Sequence, residues 1–333
     1  MNYIGSKQKL LPFLMESICS TTGQDLHNKI FCDLFAGTGM VSRAFKSITK
    51  QIICNDFEYF SYVLNRNYIG NCKQLYYEPY IQALNELDVI SNGFIYNHYC
   101  MGSHSERQYF SNLNGMKIDC MRKQIESWWN EGEIKEDMYY FLLTSLIESA
   151  DKVANTASVY GAYLKDLKQS AKQPLVIAPA TFELSHQENL VFNEDSNQLI
   201  HNISGDILYL DPPYNARQYG ANYHLLNTIA LYDQFEPKGK TGLRNYQKSD
   251  YCSKQKVSQA FEHLIQNAQF KYIFLSYNNE GLMPADQVKS IMQKYGHYDI
   301  AVKDHSRFRA DKEDKRNHKA DRTQEFVHIL EKN

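Results

Sequence analysis

Five short apolar runs constrain the fold of this chain more than any other feature of its sequence. Each run is nearly continuous in apolar residues and is followed by polar residues; the runs span residues 29–35, 50–56, 189–195, 206–211 and 271–277. Strands of a parallel sheet have this pattern because helices cover both faces of the sheet. Helical spacing of apolar residues at 40–48 and 223–233 supports such helices. The sequence therefore predicts an α/β fold, with a last strand at 325–331.

The middle of the chain, from about residue 71 to 190, has a different character. It is rich in Tyr, Asn, Met and charged residues, and its longest helical pattern spans 134–155. The apolar residues on one face of that pattern are Met138, Leu142, Leu146 and Val153. We therefore expect a mainly helical insertion at 73–188 between two parts of one catalytic domain, 1–72 and 189–333.

Composition limits where the protein acts and what it binds. At 333 residues with 43% hydrophobic content, the chain can bury a substantial core. No run approaches the roughly eighteen apolar residues of a membrane span, and residues 5–9 are too polar for a signal peptide, so we expect a cytoplasmic protein with no membrane partner. Its seven cysteines form no CxxC pair, so neither a disulfide framework nor a metal site is expected.

The net charge of −2 conceals two locally basic segments. Residues 238–256 contain six Lys or Arg against one acid, and residues 303–322 contain eight against five acids. Such segments are often only solvated loops, but they also suit contact with nucleic-acid phosphates. A nucleic-acid partner such as DNA would face both segments, because one follows the helix after Tyr214 and the other precedes the last strand.

A glycine turn follows the first predicted strand. Asp33 ends the strand, and Gly37 and Gly39 allow a tight turn before a helix whose free N–H groups suit an anionic or polar ligand. The third glycine of the dinucleotide fingerprint is absent, since Ser42 stands there. Asp56 ends the next strand, where a carboxylate can accept hydrogen bonds from ribose hydroxyls. These features predict a cofactor that carries a nucleoside and disfavour a nicotinamide oxidoreductase.

Four motifs together resemble one enzyme family. They are NYIGSK at 2–7, DLFAGTG at 33–39, NDFE at 55–58 and DPPY at 211–214. In this order they resemble the Dam-like, alpha-ordered D12 class of adenine-N6-specific DNA methyltransferases, over both flanks of the insertion. The resemblance implies a Rossmann-like class I methyltransferase sheet of seven mostly parallel strands, with the insertion as target-recognition domain.

The same resemblance implies the ligands of the protein. S-adenosylmethionine would be the methyl donor and double-stranded DNA the substrate. A cognate restriction endonuclease would act on the same DNA site without direct contact. Two further segments, 148–165 and 214–233, are similar to methylases of four-base restriction systems that recognise CATG.

The chemistry of adenine methylation explains why an acid, two prolines and a tyrosine follow one strand. The adenine amine is a poor nucleophile because its lone pair is delocalised into the ring. Acceptors aimed at both N–H bonds, the Asp211 carboxylate and the Pro212 carbonyl, would favour a pyramidal nitrogen and stabilise its developing positive charge. The two prolines stiffen the turn, and Tyr214 offers a stacking face to a base flipped out of the duplex.

The family resemblance also implies the cofactor contacts. Tyr3 would flank the cofactor, Lys7 would approach its methionine carboxylate, Asp33 its amino group and Asp195 its adenine amine. With Gly37, Gly39, Asp56 and Asp211 these residues make up the predicted cofactor site. Four of these residues also have a purely structural interpretation. Tyr3 and Lys7 could belong to an N-terminal tail, Asp33 could cap the glycine turn, and Asp195 could lie in a surface turn.

Three other functions are compatible with parts of this pattern. The DPPY turn could activate another planar nitrogen, such as that of an RNA base or a protein glutamine. A non-catalytic DNA-binding module would require the loss of Asp211, Pro212 or Tyr214, and all three are present. Asp at 211 and the N-terminal motif favour DNA adenine as the substrate.

Overall fold

The computed structural model describes residues 7–89, 93–103, 105–306 and 322–333. Its central element is a seven-stranded sheet with the order β3-β2-β1-β4-β5-β7-β6. The strands are β1 (Ile30–Asp33), β2 (Gln51–Asn55), β3 (Leu190–Phe192), β4 (Ser204–Leu210), β5 (Gln269–Asn278), β6 (Gly296–Ser306) and β7 (Arg322–Lys332). The first five run parallel, and β7 is antiparallel to both β5 and β6.

The five apolar runs and the predicted last strand are confirmed as β1 to β5 and β7. The strand that sequence patterning did not identify is β6, which lies at the edge of the sheet. Its described side chains from 297 to 303 are partly or fully exposed. An edge strand needs no continuous apolar run because one side and much of each face remain in water, so β6 lacked the signal used for the others.

The chain folds into two compact units. The sheet unit contains the described residues up to Phe57, together with Gln187–Gln218 and the described residues from Lys248 onwards. Its helices are α1 (Leu11–Thr22), α2 (Met40–Lys46), α9 (Ser196–Leu199), α12 (Val257–Asn267) and α13 (Ala285–Met292), with a 3₁₀ turn at Asp250–Cys252. Buried apolar residues of α12 and α13, such as Phe261 and Val288, pack with sheet residues such as Leu208 and Ile273 in one core cluster.

The helical unit contains Glu58–His186 and Tyr219–Gln247. Its helices are α3 (Tyr59–Asn65), continued by a π turn at Arg66–Gly70, α4 (Glu78–Glu86), α5 (Phe94–Tyr99), α6 (Asn112–Asn130), α7 (Glu136–Val153), α8 (Gln169–Lys172), α10 (Tyr219–Asn222) and α11 (His224–Leu231). Segments on both sides of the predicted insertion thus belong to the same unit as the insertion itself. The assignment of 73–188 to target recognition stays a prediction.

Helix α7 is the long helix predicted at 134–155. Glu136 and Asp137 in its first turn and Lys152 in its last turn suit the helix dipole. The predicted apolar face, from Met138 to Val153, is buried. In the described part of the chain, no helix combines the length and the apolar character needed to cross a membrane.

Candidate active site

The glycine turn lies at the carboxyl end of β1. Gly37 and Gly39 have φ angles of 54° and 73°, a left-handed conformation that strains any residue with a Cβ. The Gly37 N–H donates to Asp56 Oδ2 at 2.7 Å, so the acid after β2 fixes the turn after β1. Gly39 is the N-cap residue of α2, which brings the turn directly to a helix N-terminus.

Asp33 is buried within this turn, with 1% of its surface exposed. Its Oδ2 accepts the Ser42 hydroxyl at 2.8 Å, whereas no described residue donates to its buried Oδ1. Burial, followed by the charges of Asp211 and Asp56, raises the pKa of Asp33 to about 7. A buried carboxylate oxygen without a donor from the described residues can accept a hydrogen bond from a ligand, and a cationic amino group would suit it. Ser42, which replaces the third fingerprint glycine, therefore serves to hold Asp33.

We predict that Asp33→Asn stabilises the cofactor-free protein more at pH 8 than at pH 5. The folded-state pKa of about 7 exceeds the ordinary 3.8, so the wild-type chain loses stability as pH rises through that range. Asparagine can still accept the Ser42 hydroxyl but does not ionise. The gain in the free energy of unfolding over wild type should be about 2–3 kcal/mol larger at pH 8 than at pH 5 in urea titrations.

A second measurement separates stability from binding for the same variant. Calorimetric titration tests the predicted contact of Asp33 with the cofactor's amino group: Asp33→Asn should bind S-adenosylmethionine more weakly, because asparagine offers no charged acceptor. An equal stability difference at pH 5 and pH 8 would show that the Asp33 carboxyl does not titrate as described.

Residues 211–214, which we call the acidic corner, lie beside the glycine turn at residues 37–39. Strands β1 and β4 are paired with Asp33 opposite Tyr209, and the Leu34 N–H donates to the Tyr209 carbonyl at 3.2 Å. Asp211 follows the last residue of β4 and retains 17% side-chain exposure. The turn that starts at Asp33 and the corner that starts at Asp211 therefore leave adjacent strand ends. Burial raises the pKa of Asp211, and the Lys7 ammonium opposes that effect.

The Lys7 ammonium forms an ion pair with one oxygen of the Asp211 carboxylate. Its Nζ lies 3.0 Å from Asp211 Oδ1, and the side chain is only 7% exposed. Burial lowers the pKa of Lys7, but the charges of Asp211 and Glu325 outweigh burial and raise it overall. Lys7 therefore remains an ammonium at neutral pH, and it leaves Asp211 Oδ2 as the second acceptor of that carboxylate.

Glu325 is a site residue that the sequence analysis missed. It lies on β7 opposite Asn278 of β5, and its Oε2 is buried with no hydrogen-bond partner among the described residues. Burial raises the pKa of Glu325, the Lys7 charge lowers it and the Asp211 charge raises it. Only the β5–β7 register brings residue 325 towards residue 211, so no local sequence signal could have identified it.

The remaining residues of the corner have mainly packing contacts. Tyr214 is partly buried against the sheet core, and its carbonyl accepts the Leu282 N–H at 3.1 Å. Pro212 is buried and Pro213 is partly exposed. Phe35 packs edge-on against Tyr251, with ring centroids 5.0 Å apart.

Asp195 has a structural role in addition to the predicted cofactor contact. Its Oδ1 caps α9, accepting the backbone N–H groups of Asn197 at 2.9 Å and Gln198 at 3.2 Å. It lines a polar cavity of about 500 Å³ with Tyr251, Lys256 and other residues. Among the predicted site residues that the structure describes, Asp195 alone lines that cavity, so Asp33 and Asp211 do not share it.

Two predicted features fall partly or wholly outside the described residues. Tyr3 is outside them, and so are residues 307–321 of the second basic segment. In the first basic segment two cations already have partners: Arg244 pairs with Asp233 and Lys256 with Asp250, each at 2.9 Å. Among the described residues, no group of three or more His, Cys, Asp or Glu side chains could hold a metal ion.

The fold and the site define a Rossmann-like methyltransferase domain. The defining features are the strand order, the antiparallel β7 and the acidic corner beside a glycine turn. A family model described as D12 class N6 adenine-specific DNA methyltransferase matches residues 3–291. The chain therefore belongs to the D12 class of N6 adenine-specific DNA methyltransferases.

The relatives of the chain are enzymes of restriction-modification systems. The type II methyltransferase M.NlaIII of Neisseria lactamica is 61% identical over 333 residues, covering 100% of this chain and 99% of the relative. The type II methyltransferase M.CviAII of Paramecium bursaria Chlorella virus 1 is 37% identical, covering 93% of each chain. M.FokI of Planomicrobium okeanokoites is 42% identical over 89% of this chain, which corresponds to 47% of that longer protein.

The family match decides between the functions that the sequence left open. The substrate is DNA and the acceptor is adenine N6, so the RNA, glutamine and non-catalytic alternatives are set aside. The cofactor of this methyltransferase family is S-adenosylmethionine. The residues present fit that cofactor, because Asp33 Oδ1 is a buried acceptor without a donor and the glycine turn leads directly into a helix N-terminus.

Proposed function

We propose that the protein methylates N6 of an adenine flipped out of duplex DNA, with Asp211, Pro212 and Tyr214 as the catalytic residues. The observation that carries this proposal is the pairing of β1 with β4, which places the glycine turn and the acidic corner on adjacent strand ends. A methyl group held beside the turn would then lie next to an amine held by the corner. Reaction by direct transfer requires this arrangement.

The catalytic residues act on the adenine amine. The Asp211 carboxylate accepts one N–H bond and the Pro212 carbonyl accepts the other, which draws the nitrogen lone pair out of conjugation with the ring. When bound, S-adenosylmethionine supplies a methyl group activated by a positively charged sulfur. Transfer of that methyl group to N6 would release S-adenosylhomocysteine as the leaving group, and the proton lost from the amine would pass to solvent while Asp211 and Pro212 hold the nitrogen. Tyr214 holds the base by stacking, a contact worth about 1–3 kcal/mol.

Lys7 and the cofactor-binding residues prepare the site for this reaction. The Lys7 ammonium opposes the rise that burial causes in the pKa of Asp211, which favours the ionised carboxylate that acts as acceptor. Asp33, Gly37, Gly39 and Asp56 form the part of the site that would hold the amino-acid and ribose groups of the cofactor. The contacts proposed for Tyr3 and Asp195 rest on the family resemblance.

We further propose CATG as the recognition sequence and protection from a cognate endonuclease as the biological role. Support for CATG comes from the similarity of 148–165 and 214–233 to methylases that recognise this sequence. Support for a cognate endonuclease comes from the type II relatives, since the proteins of such systems share one DNA site. The DNA substrate favours action in the cytoplasm.

Methylation of genomic DNA tests this proposal directly. Long-read sequencing of DNA from cells that express the chain should detect N6-methyladenine at nearly every CATG site. Cells that express Asp211→Ala should show none above background. N6-methyladenine confined to another sequence would refute CATG but retain the reaction. Absence of N6-methyladenine despite folded protein would refute the proposed function.

A further inference from the structure

A short turn in the helical unit combines a tightly held backbone with an exposed lysine side chain. In this turn, residues 238–243, the backbones of Lys238 and Leu243 form two mutual hydrogen bonds of 2.9 and 2.8 Å. Gly239 and Gly242 have left-handed φ angles of 66° and 70°. The chain therefore reverses direction tightly, and Lys240 is exposed within the turn.

Arg107 anchors the 238–243 turn to the rest of the helical unit. Its guanidinium donates to the carbonyls of Lys240 at 3.3 Å, Gly239 at 3.1 Å and Pro237 at 3.5 Å. It also donates to the His98 carbonyl at 3.1 Å, at the end of α5. One side chain thus satisfies three carbonyl groups in and beside the turn, which holds the backbone of the turn in one conformation.

Tyr99 supplies a second anchor. Its buried hydroxyl donates to the Gly242 carbonyl at 2.7 Å, and burial raises its pKa to about 12, so it remains a donor at neutral pH. A Cβ on Gly242 would lie 2.8 Å from the Tyr99 ring and 2.9 Å from Arg107. Glycine at 242 therefore permits both the left-handed backbone and the close approach of the two anchors.

Side-chain partners distinguish Lys240 from the cations beside it, since among the described residues its ammonium has neither an ion pair nor a hydrogen-bond partner. Arg244 forms a two-pronged pair with Asp233 at 3.0 and 2.9 Å, and it lies over the Phe235 ring. The Lys238 ammonium donates to Asn245 Oδ1 at 3.0 Å. Within the described ranges, no ion pair involves Lys240. A single exposed cation on a fixed backbone can meet a phosphate at little further cost in backbone entropy.

We propose that the 238–243 turn is a DNA-contacting element in which the Lys240 ammonium binds a backbone phosphate, with Arg107 and Tyr99 as positioning residues. This inference rests on the proposed function, since duplex DNA is the ligand. A lysine ammonium is a compact point charge without the fork geometry of arginine, which suits contact with a backbone phosphate. The contact would position the enzyme on DNA and contribute no sequence preference.

Equilibrium binding of the full chain to two fluorescent duplexes, one with CATG and one without, tests the proposal. Lys240→Ala should weaken binding to both duplexes by about 3- to 10-fold near 0.1 M salt. It should also reduce the slope of log affinity against log salt by about one. Tyr99→Phe, which removes only the hydroxyl of one anchor, should weaken binding to both duplexes by a smaller factor.

A matched control is Lys50→Ala. Lys50 is also exposed, but it immediately precedes β2. It therefore lies at the amino ends of the parallel strands, opposite the ends that carry the site. This variant should bind both duplexes as the wild type does. All variants should bind S-adenosylmethionine with unchanged affinity.

Two results would overturn the proposal. One is wild-type affinity and salt slope in Lys240→Ala, and the other is a loss confined to the CATG duplex. The binding assay needs no turnover, so it distinguishes this proposal from the proposed function. Wild-type protein that binds DNA through Lys240 but never methylates adenine would refute the function and leave the DNA contact in place.

Discussion

Asp211→Ala is expected to reduce adenine methylation by about 1,000-fold or more while leaving a folded protein. The variant removes one of two acceptors that act on the amine as its positive charge develops, and loss of one such group typically has an effect of this size. Single-turnover methylation of a CATG duplex measures the loss. Circular dichroism checks the fold, because the variant removes one of the two carboxylates that, among the described residues, stabilise the Lys7 charge.

Asp206→Ala is the matched control for this variant. Asp206 lies near the opposite end of the same strand, β4, and accepts the Ile30 N–H at 2.8 Å and the Lys29 ammonium at 3.3 Å. Its loss should lower the free energy of unfolding by about 1–2 kcal/mol and leave methylation nearly normal. Near-normal turnover by Asp211→Ala would refute the catalytic role of Asp211.

Tyr214→Ala is expected to have the second largest effect, with a much smaller loss in Tyr214→Phe. Stacking of a flipped base needs the ring, and an alanine substitution typically removes about 1–3 kcal/mol of such stacking, or roughly 10- to 100-fold. Burial raises the pKa of Tyr214, so its hydroxyl remains neutral at the pH of the assay and phenylalanine preserves the charge of the site.

The comparison should use kcat/KM on duplex DNA together with a fluorescent base analogue at the target adenine. Alanine should decrease both the rate and the fluorescence change that accompanies base flipping, and phenylalanine should leave both near the wild-type values. Equal losses in the two variants would contradict a stacking role and assign the effect to the hydroxyl.

The sequence predicted the parts of the site that lie at strand ends. Asp33, Asp56 and Asp211 each follow an apolar run, and parallel strands present their carboxyl ends at one edge of the sheet. The pairing of β1 with β4 could not be derived from local patterns, because about 170 residues separate the strands. The family resemblance supplied that arrangement.

Features that depend on tertiary contacts were not predictable from the sequence. Glu325 lies near Lys7 only through the register of β5 with β7, and Arg107 lies more than 100 positions before the carbonyls that it anchors. The sequence predicted only that the basic segment at 238–256 faces DNA. The structure shows that Arg244 and Lys256 are already paired with acids, which a count of charges cannot reveal.

A crystal structure of the protein with sinefungin and a CATG duplex tests the central claim most directly. The account predicts the target adenine outside the helix, with N6 about 3 Å from both an Asp211 oxygen and the Pro212 carbonyl. The inhibitor's amino group, which stands in place of the transferred methyl group, should lie about 3–3.5 Å from N6, with the amino-acid end of the inhibitor at Asp33. An inhibitor bound away from the Gly37–Gly39 turn, or an adenine away from Asp211, would contradict the account.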